Sequence, residues 1–229
     1  MSRLNRHARL MPYLDRLLSH GDLFIGEVHG TVESPRLMQC LVERALPRVN
    51  ETVIVSLELS ERARDSGSLH WRDIRDGRSS AAMWSLLEFL VQKEREGALR
   101  LHFQHGGQVP AGMSIDEYSG MALKTLVKEG FVIALAGNFH SSRAIEPRRP
   151  GIAPAGTYVG SDITHIRIES VEAGEAWFCS SDPPCRVRPM PGTSIKNASA
   201  GELVDGSEMN HDLIFFVQKY TASMPLHGD

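Results

Sequence analysis

Leu23-Phe24-Ile25-Gly26-Glu27-Val28-His29-Gly30 is the stretch whose reading decides the fold. An apolar run leads directly into a carboxylate and an imidazole set between two glycines, and a helix-like segment begins at Ser34. A strand that ends in polar residues and feeds a helix is the first half of a βαβ unit, and open α/β sheets place their ligands at such strand ends. Glu27 and His29 lie two apart, so an extended chain points both to one side. Phe131-Val132-Ile133-Ala134-Leu135-Ala136 repeats the theme and runs into Gly137-Asn138-Phe139-His140. Two strands that each end in glycine plus histidine read as two walls of one site.

Working outward, strands and helices alternate through the first 140 residues. Ser34 to Val49 carries Leu37, Leu41, Val42 and Leu46 at helical spacing, with Pro35 suited to a first turn. Thr52 to Leu59 is β-branched and reads as a buried strand. Ser80 to Arg95 reads as a helix with Met83, Trp84, Leu87, Leu90 and Val91 on one face; Leu99 to Gln104 as a third strand; Ser119 to Lys128 as a helix; Phe131 to Ala136 as a fourth strand. This rhythm predicts a largely parallel sheet covered by helices, an α/β fold. Beyond Pro147 the rhythm breaks into Pro- and Gly-rich loop. Ile163 to Val171 and Glu175 to Cys179 predict a β-hairpin, Gly192 to Ser207 a loop, and Leu213 to Val217 a last strand. We expect one domain over 1–229, with an N-terminal amphipathic helix over 1–21 presenting Leu10, Tyr13, Leu14, Leu17 and Leu18. The charged segment 60–79 is expected to be a flap over the strand ends or a surface loop.

Composition excludes several classes. With 41% hydrophobic and 23% charged residues in 229, the chain can bury a core without a metal or disulfide staple. A formal net charge of -3 gives no global basic field, which argues against nucleic acid as a partner. No run approaches the roughly 18 apolar residues that a membrane span requires. The N-terminal stretch has no continuous apolar core or cleavage site, so a cytoplasmic location is expected. Cys40 lies in an apolar helical pattern and reads as core. Cys179 and Cys185 are expected to close a small loop only in an oxidising compartment, and as a lone pair they are a weak zinc signal.

In a parallel sheet all C-terminal strand ends share one edge. Glu27, His29, Glu58, His105 and His140 are therefore expected to converge, with Asp116 joining from a loop. A carboxylate buried at a strand end costs several kcal/mol unless it is paired or ligates a cation, on the order given for buried charges. Two carboxylates with two or three imidazoles suit Mn²⁺, Co²⁺ or Zn²⁺ held by Glu27, His29, Glu58 and His140. They equally suit metal-free acid/base catalysis by the same four. Asn138 and Arg143 are candidates for an oxyanion or an anionic substrate group, and His105 for substrate contact. Blander alternatives stand beside each: Glu27 as a cap or loop brace, Glu58 as an acceptor for a nearby turn, Asn138 as turn chemistry, Arg143 as a solvated surface residue. His102 is expected to be exposed or in the core, and His165 and His211 to be structural. No GxGxxG, P-loop, G-x-S-x-G or HExxH pattern occurs.

The ordered set Gly26-Glu27-Val28-His29, Glu58 in Ser56-Leu57-Glu58-Leu59, and Gly137-Asn138-Phe139-His140, together with Asp212 to Val217 and Thr221-Ala222-Ser223, resembles the superfamily that joins erythromycin esterases, ChaN-type haem-uptake proteins and the TIKI/TraB proteases. The resemblance runs in order from about residue 22 to residue 225. It implies an EreA/ChaN-like fold, a three-layer α/β/α sandwich with a mixed sheet and the site at the strand ends. It implies either hydrolysis of an ester or peptide bond by a Glu/His cluster, with or without a divalent metal, or binding of haem. The chain lacks the helical additions of the esterase branch and the membrane helices of the TraB branch. The leading expectation is a hydrolase acting on a small-molecule or peptide substrate; the alternative is a module for haem or a similar ligand.

Overall fold

The structure, a computed structural model, describes residues 3–64, 71, 74, 76–147, 149–179 and 185–226, with side chains from residue 11 onward. Strands β1 (Leu23–Glu27), β2 (Val53–Leu57), β3 (Leu99–Phe103), β4 (Phe131–Gly137), β5 (Thr164–Ser170), β8 (Leu203–Asp205) and β9 (Leu213–Val217) form one sheet in the order β3-β2-β4-β1-β5-β9-β8. Every neighbouring pair is parallel except β8 with β9, so the sheet is mixed. Helices Arg3–Leu18, Glu33–Ala45, Ala81–Arg95 and Ile115–Leu126 cover it.

Single-residue alternation along the strands sorts the core into two layers. Leu23 and Ile25 of β1, Val53, Val55 and Leu57 of β2, and Ile133 and Leu135 of β4 pack with Leu14, Leu17, Met38, Leu41, Leu87 and Leu90. Phe24, Ile54, Val132, Ala134 and Ala136 face the other way, onto Leu123, Leu126 and Val159. The central strands are buried at every position or nearly so, which is why they read as continuous apolar runs rather than alternating ones. The expected α/β/α layering is therefore present, and no helix among the described residues is long and apolar enough to cross a membrane.

Helix ends follow local chemistry. Ser80 Oγ accepts from Met83 N at 3.3 Å and Ser114 Oγ from Glu117 N at 3.0 Å, each filling one of the orphan donors of a helix start. Ser114 starts its helix at Ile115, four residues before the expected Ser119, because the cap rather than the apolar stripe sets the boundary.

The hairpin exists, but its strands differ from the expected ones. Thr164–Ser170 joins the main sheet between β1 and β9, and β6 (Gly174–Phe178) pairs instead with β7 (Arg186–Met190). The apolar positions of Thr164–Ser170, Ile166 and Ile168, are fully buried against the core, which a hairpin partner alone could not achieve. The stretch expected as loop from Gly192 to Ser207 contains the short edge strand β8. In the N-terminal helix Leu14 and Leu17 are buried as expected, whereas Tyr13 is exposed; the side chain of Leu10 lies outside the described residues. Cys179 and Cys185 are joined in a disulfide, the oxidised alternative and the one a cytoplasmic setting does not favour. Cys40 is a free thiol packed against the core. Much of the expected flap, residues 65–70, 72, 73 and 75, lies outside the described residues.

Two contacts brace the turn that follows β1. Gly30, at φ +72°, sits so close to the Trp177 carbonyl that an added Cβ would lie 1.7 Å from its oxygen. Segment 221–224 crosses the same turn: Val32 N donates to Thr221 O, Ser223 N to Gly30 O, and Thr221 N to Glu33 Oε2. Ser223 Oγ and Met224 O also receive Ala82 N and Ala81 N, tying the turn to the start of helix Ala81–Arg95. A Gly30→Ala substitution is expected to lower unfolding free energy by at least about 3 kcal/mol through clash plus strain, whereas Gly97→Ala, at φ +71° in open space, loses only about 1 kcal/mol. Equal losses in urea unfolding would show that the Trp177 carbonyl does not press on this turn.

Candidate functional site

The strand order sets β1, β4 and β2 side by side, so the ends of these three strands meet at one edge. The connections explain why a crevice opens there. Helices Glu33–Ala45 and Ala81–Arg95 carry the chain from β1 to β2 to β3 over one face, and helix Ile115–Leu126 brings it back to β4 over the other. Such a reversal leaves the strand ends between diverging connections.

Glu27, 4% exposed, closes β1, and His29 Nδ1–H donates to its Oε1 at 2.9 Å. His140, three residues beyond β4, makes the matching contact from Nδ1 to Asp116 Oδ1 at 2.6 Å, and Asp116 also accepts from Ala155 N at 3.0 Å. With both Nδ1 atoms donating to carboxylates, each imidazole is left with Nε2 free. Both Nε2 atoms face one residue: His29 Nε2 lies 3.8 Å from Glu58 Oε2, and His140 Nε2 3.6 Å from Glu58 Oε1. Gly137 makes room for this approach, because a Cβ there would stand 2.9 Å from His29 Nε2 and 3.5 Å from the His140 ring.

Glu58 is 6% exposed and takes a hydrogen bond on each oxygen, from Gly137 N to Oε2 at 2.6 Å and from Arg78 Nη1 to Oε1 at 2.9 Å. The same Nη1 donates to the Glu58 carbonyl at 3.0 Å, and Arg78 Nε is clamped by Asp76 at 2.9 and 3.0 Å. Sequence reasoning missed Arg78, which sits in a run of surface-like charges. Its only signal was that a buried Glu58 demands a cation, and nothing local in the sequence says which one answers.

Burial works hardest against the charge on Glu58, but His29, His140, Arg78 and the Gly137 N–H outweigh it and its pKa is lowered. Burial likewise opposes the imidazolium forms, yet the Glu27 bond and the Glu58 carboxylate raise His29, and the Asp116 bond and Glu58 raise His140. Glu27 is pushed up, chiefly by its own desolvation against the opposing pull of His29.

The remaining expected residues are placed as follows. His105 is half-buried with its N–H on Leu59 O; burial lowers its pKa against the pull of Glu58, and no hydrogen bond joins its ring to the cluster. Asn138 donates its backbone N–H to Glu27 O, while its Oδ1 lies against Gly26 without a partner. Arg143 is committed to Asp212 Oδ2 at 2.6 Å and to the carbonyls of Ile163 and Gly160, near the starts of β5 and β9 rather than at the strand ends that hold Glu27. His165 and His211 are buried on Ser141, which explains their lowering to about 4 by desolvation, and His102 bonds Ser56 Oγ.

As metal ligands the four expected residues fit only in part. The carboxylate-bound Nδ1 with a free Nε2 is the usual arrangement of a ligating histidine. Against this, both Glu58 oxygens are already engaged and a guanidinium stands beside them. Among the described residues no group of three or more His, Cys, Asp or Glu is placed to hold an ion.

No family model matches the chain, and no curated protein matches it. Two solved structures share its fold: a succinoglycan biosynthesis protein, 9% identical with a TM-score of 0.60 over 92% of this chain and 91% of that one, and a protein from Bacillus cereus, 10% identical with a TM-score of 0.57 over 99% and 94%. At such identity the likeness concerns the fold alone.

Two pH windows follow. His29 and His140 have folded pKa values above the unfolded value of about 6.5, so their stabilising contribution is complete below that pH and is lost as pH rises through the folded values. The Glu58 contribution is present above about 4.5 and is lost as pH falls through its lowered value. In Glu58→Gln the titration midpoints of both imidazoles, followed by NMR, are expected to move down together; midpoints that stay in place would separate Glu58 from the pair.

Proposed function

We propose that the protein is a hydrolase of ester or peptide bonds that activates water with its paired histidines. The carrying observation is the chain of contacts Glu27–His29, Glu58, His140–Asp116: each imidazole is fixed at Nδ1 by its own carboxylate and turns Nε2 toward the same third one. The ordered motifs support placing the chain in the EreA/ChaN-like superfamily.

In this reading the two imidazoles share work between them. Two imidazolium ions so close repel, so the pair carries one proton most readily, held by Glu58. The neutral ring takes a proton from water at Nε2 as the water oxygen bonds to the carbonyl carbon. The protonated ring then gives its Nε2 proton to the leaving oxygen or nitrogen as the carbonyl re-forms and the scissile bond breaks. The products are a carboxylic acid and an alcohol or amine, and the pair again carries one proton. Glu27 and Asp116 keep each ring in the tautomer that leaves Nε2 to react, and Arg78 keeps Glu58 ionised and in place. General acid/base groups of this kind supply about 10²–10⁴-fold each. A bound Mn²⁺, Co²⁺ or Zn²⁺ would polarise the carbonyl and acidify water, but the engaged Glu58 oxygens favour the metal-free form.

The expected result with 4-nitrophenyl esters is a fall in kcat/KM of about 10²-fold or more in His29→Ala and in His140→Ala. Dialysis against a chelator is expected to leave wild-type turnover intact. Activity within twofold of wild type in both variants would remove the acid/base reading. Loss on chelation with recovery on adding Zn²⁺ or Mn²⁺ would replace it with the metal form. A Soret shift on titration with micromolar haem, abolished in His140→Ala, would favour the haem-binding alternative.

A further inference from the structure

His140 opens a loop that returns to the sheet at β5, and this loop carries a cation with no carboxylate partner among the described residues. Arg149 is exposed, and its guanidinium carbon lies 4.6 Å from the centroid of the Phe139 ring. Phe139 in turn meets the His140 imidazole edge-on, with centroids 5.2 Å apart. The guanidinium is thus held within about 10 Å of the reactive ring by stacking, an arrangement that leaves its N–H fork free to bond. Among the described residues no Asp or Glu lies within ion-pair distance of Arg149, whereas Arg78 and Arg143 are each bound to a carboxylate. Turn bonds from Arg149 N to Glu146 O and from Ile152 N to Arg149 O fix its backbone. Ile145 and Ile152, 48% and 51% exposed, flank it in the same loop.

Charge makes the pairing informative. The four carboxylates Glu27, Glu58, Asp116 and Asp76 outnumber Arg78 and the imidazolium among them, so an anionic group approaching His140 gains from a further cation nearby. Arg149 is placed to supply it.

We propose that Arg149 is a specificity-determining residue that binds a carboxylate group of the substrate, so that the preferred substrates are esters or amides with an anionic carboxylate a few bonds from the scissile carbonyl and an apolar chain between them. This rests on the hydrolase reading of the His29–His140 pair. The Phe139 ring sets the distance from the guanidinium to His140, the fork grips the carboxylate bidentately, and the two isoleucines cover the chain.

The test compares mono-4-nitrophenyl glutarate with 4-nitrophenyl acetate. In Arg149→Leu the preference for the glutarate ester, as a ratio of kcat/KM values, is expected to fall about tenfold, through KM rather than kcat, with partial recovery in Arg149→Lys. An unchanged ratio overturns the proposal while leaving the hydrolase reading standing. A second measurement needs no turnover: calorimetric titration of free glutarate into wild type and Arg149→Leu. Binding lost in the variant supports a carboxylate site at Arg149 whether or not either ester is cleaved, so the site and the hydrolase reading are tested separately. No binding to wild type, or equal binding to both, overturns the proposal. Inorganic phosphate binding as tightly as glutarate would overturn the assignment to a carboxylate.

Discussion

A carboxylate shut away from water at a strand end cannot remain charged unless several positive or hydrogen-bond-donating groups surround it. Glu58 is that carboxylate, and much of the site can be read as the answer to its burial. The Gly137 N–H reaches Oε2, Arg78 reaches Oε1 and the carbonyl, and two imidazoles complete the ring. Each of these groups then needs support of its own. Arg78 is clamped by Asp76, His29 by Glu27, and His140 by Asp116, which is itself held by the Ala155 N–H. Removing one partner from such a set leaves a buried charge uncompensated, which is why its members act as a unit rather than as separate residues.

Sheet topology supplies what those side chains cannot arrange for themselves. β4 inserts between β1 and β2, so residues far apart in the chain arrive on adjacent strands. The parallel register sets Glu27 opposite Gly137, the one residue small enough to let both imidazoles approach. Backbone geometry and side-chain chemistry agree here, as expected where a sequence specifies one structure.

Much of this is legible in the sequence. Apolar runs that stop at Glu27, Glu58 and Gly137 announce buried strands and the edge where they end, and identical spacing rules place Glu27 and His29 on one side. Asp116 was foreseen only as a loop residue; it sits in the first turn of a helix whose Ser114 cap precedes the visible apolar stripe. Arg143 misled because proximity in sequence to His140 says nothing about where a long side chain finds its carboxylate. The hairpin was misassigned for a related reason: Thr164–Ser170 is apolar at alternate positions, as either a hairpin strand or a sheet strand would be, and only the tertiary partner decides. Arg78 was invisible because pairing across a fold leaves no periodic trace.

The brace over the turn after β1 joins distant parts of the chain. Thr221 and Glu33 are 188 residues apart in sequence, and Ser223 and Ala82 are 141 apart. The C-terminal segment is thus a tie between two earlier elements rather than a tail. Releasing it would free the His29 turn and the start of helix Ala81–Arg95 together, so amides of the two segments should open in one common step in hydrogen exchange.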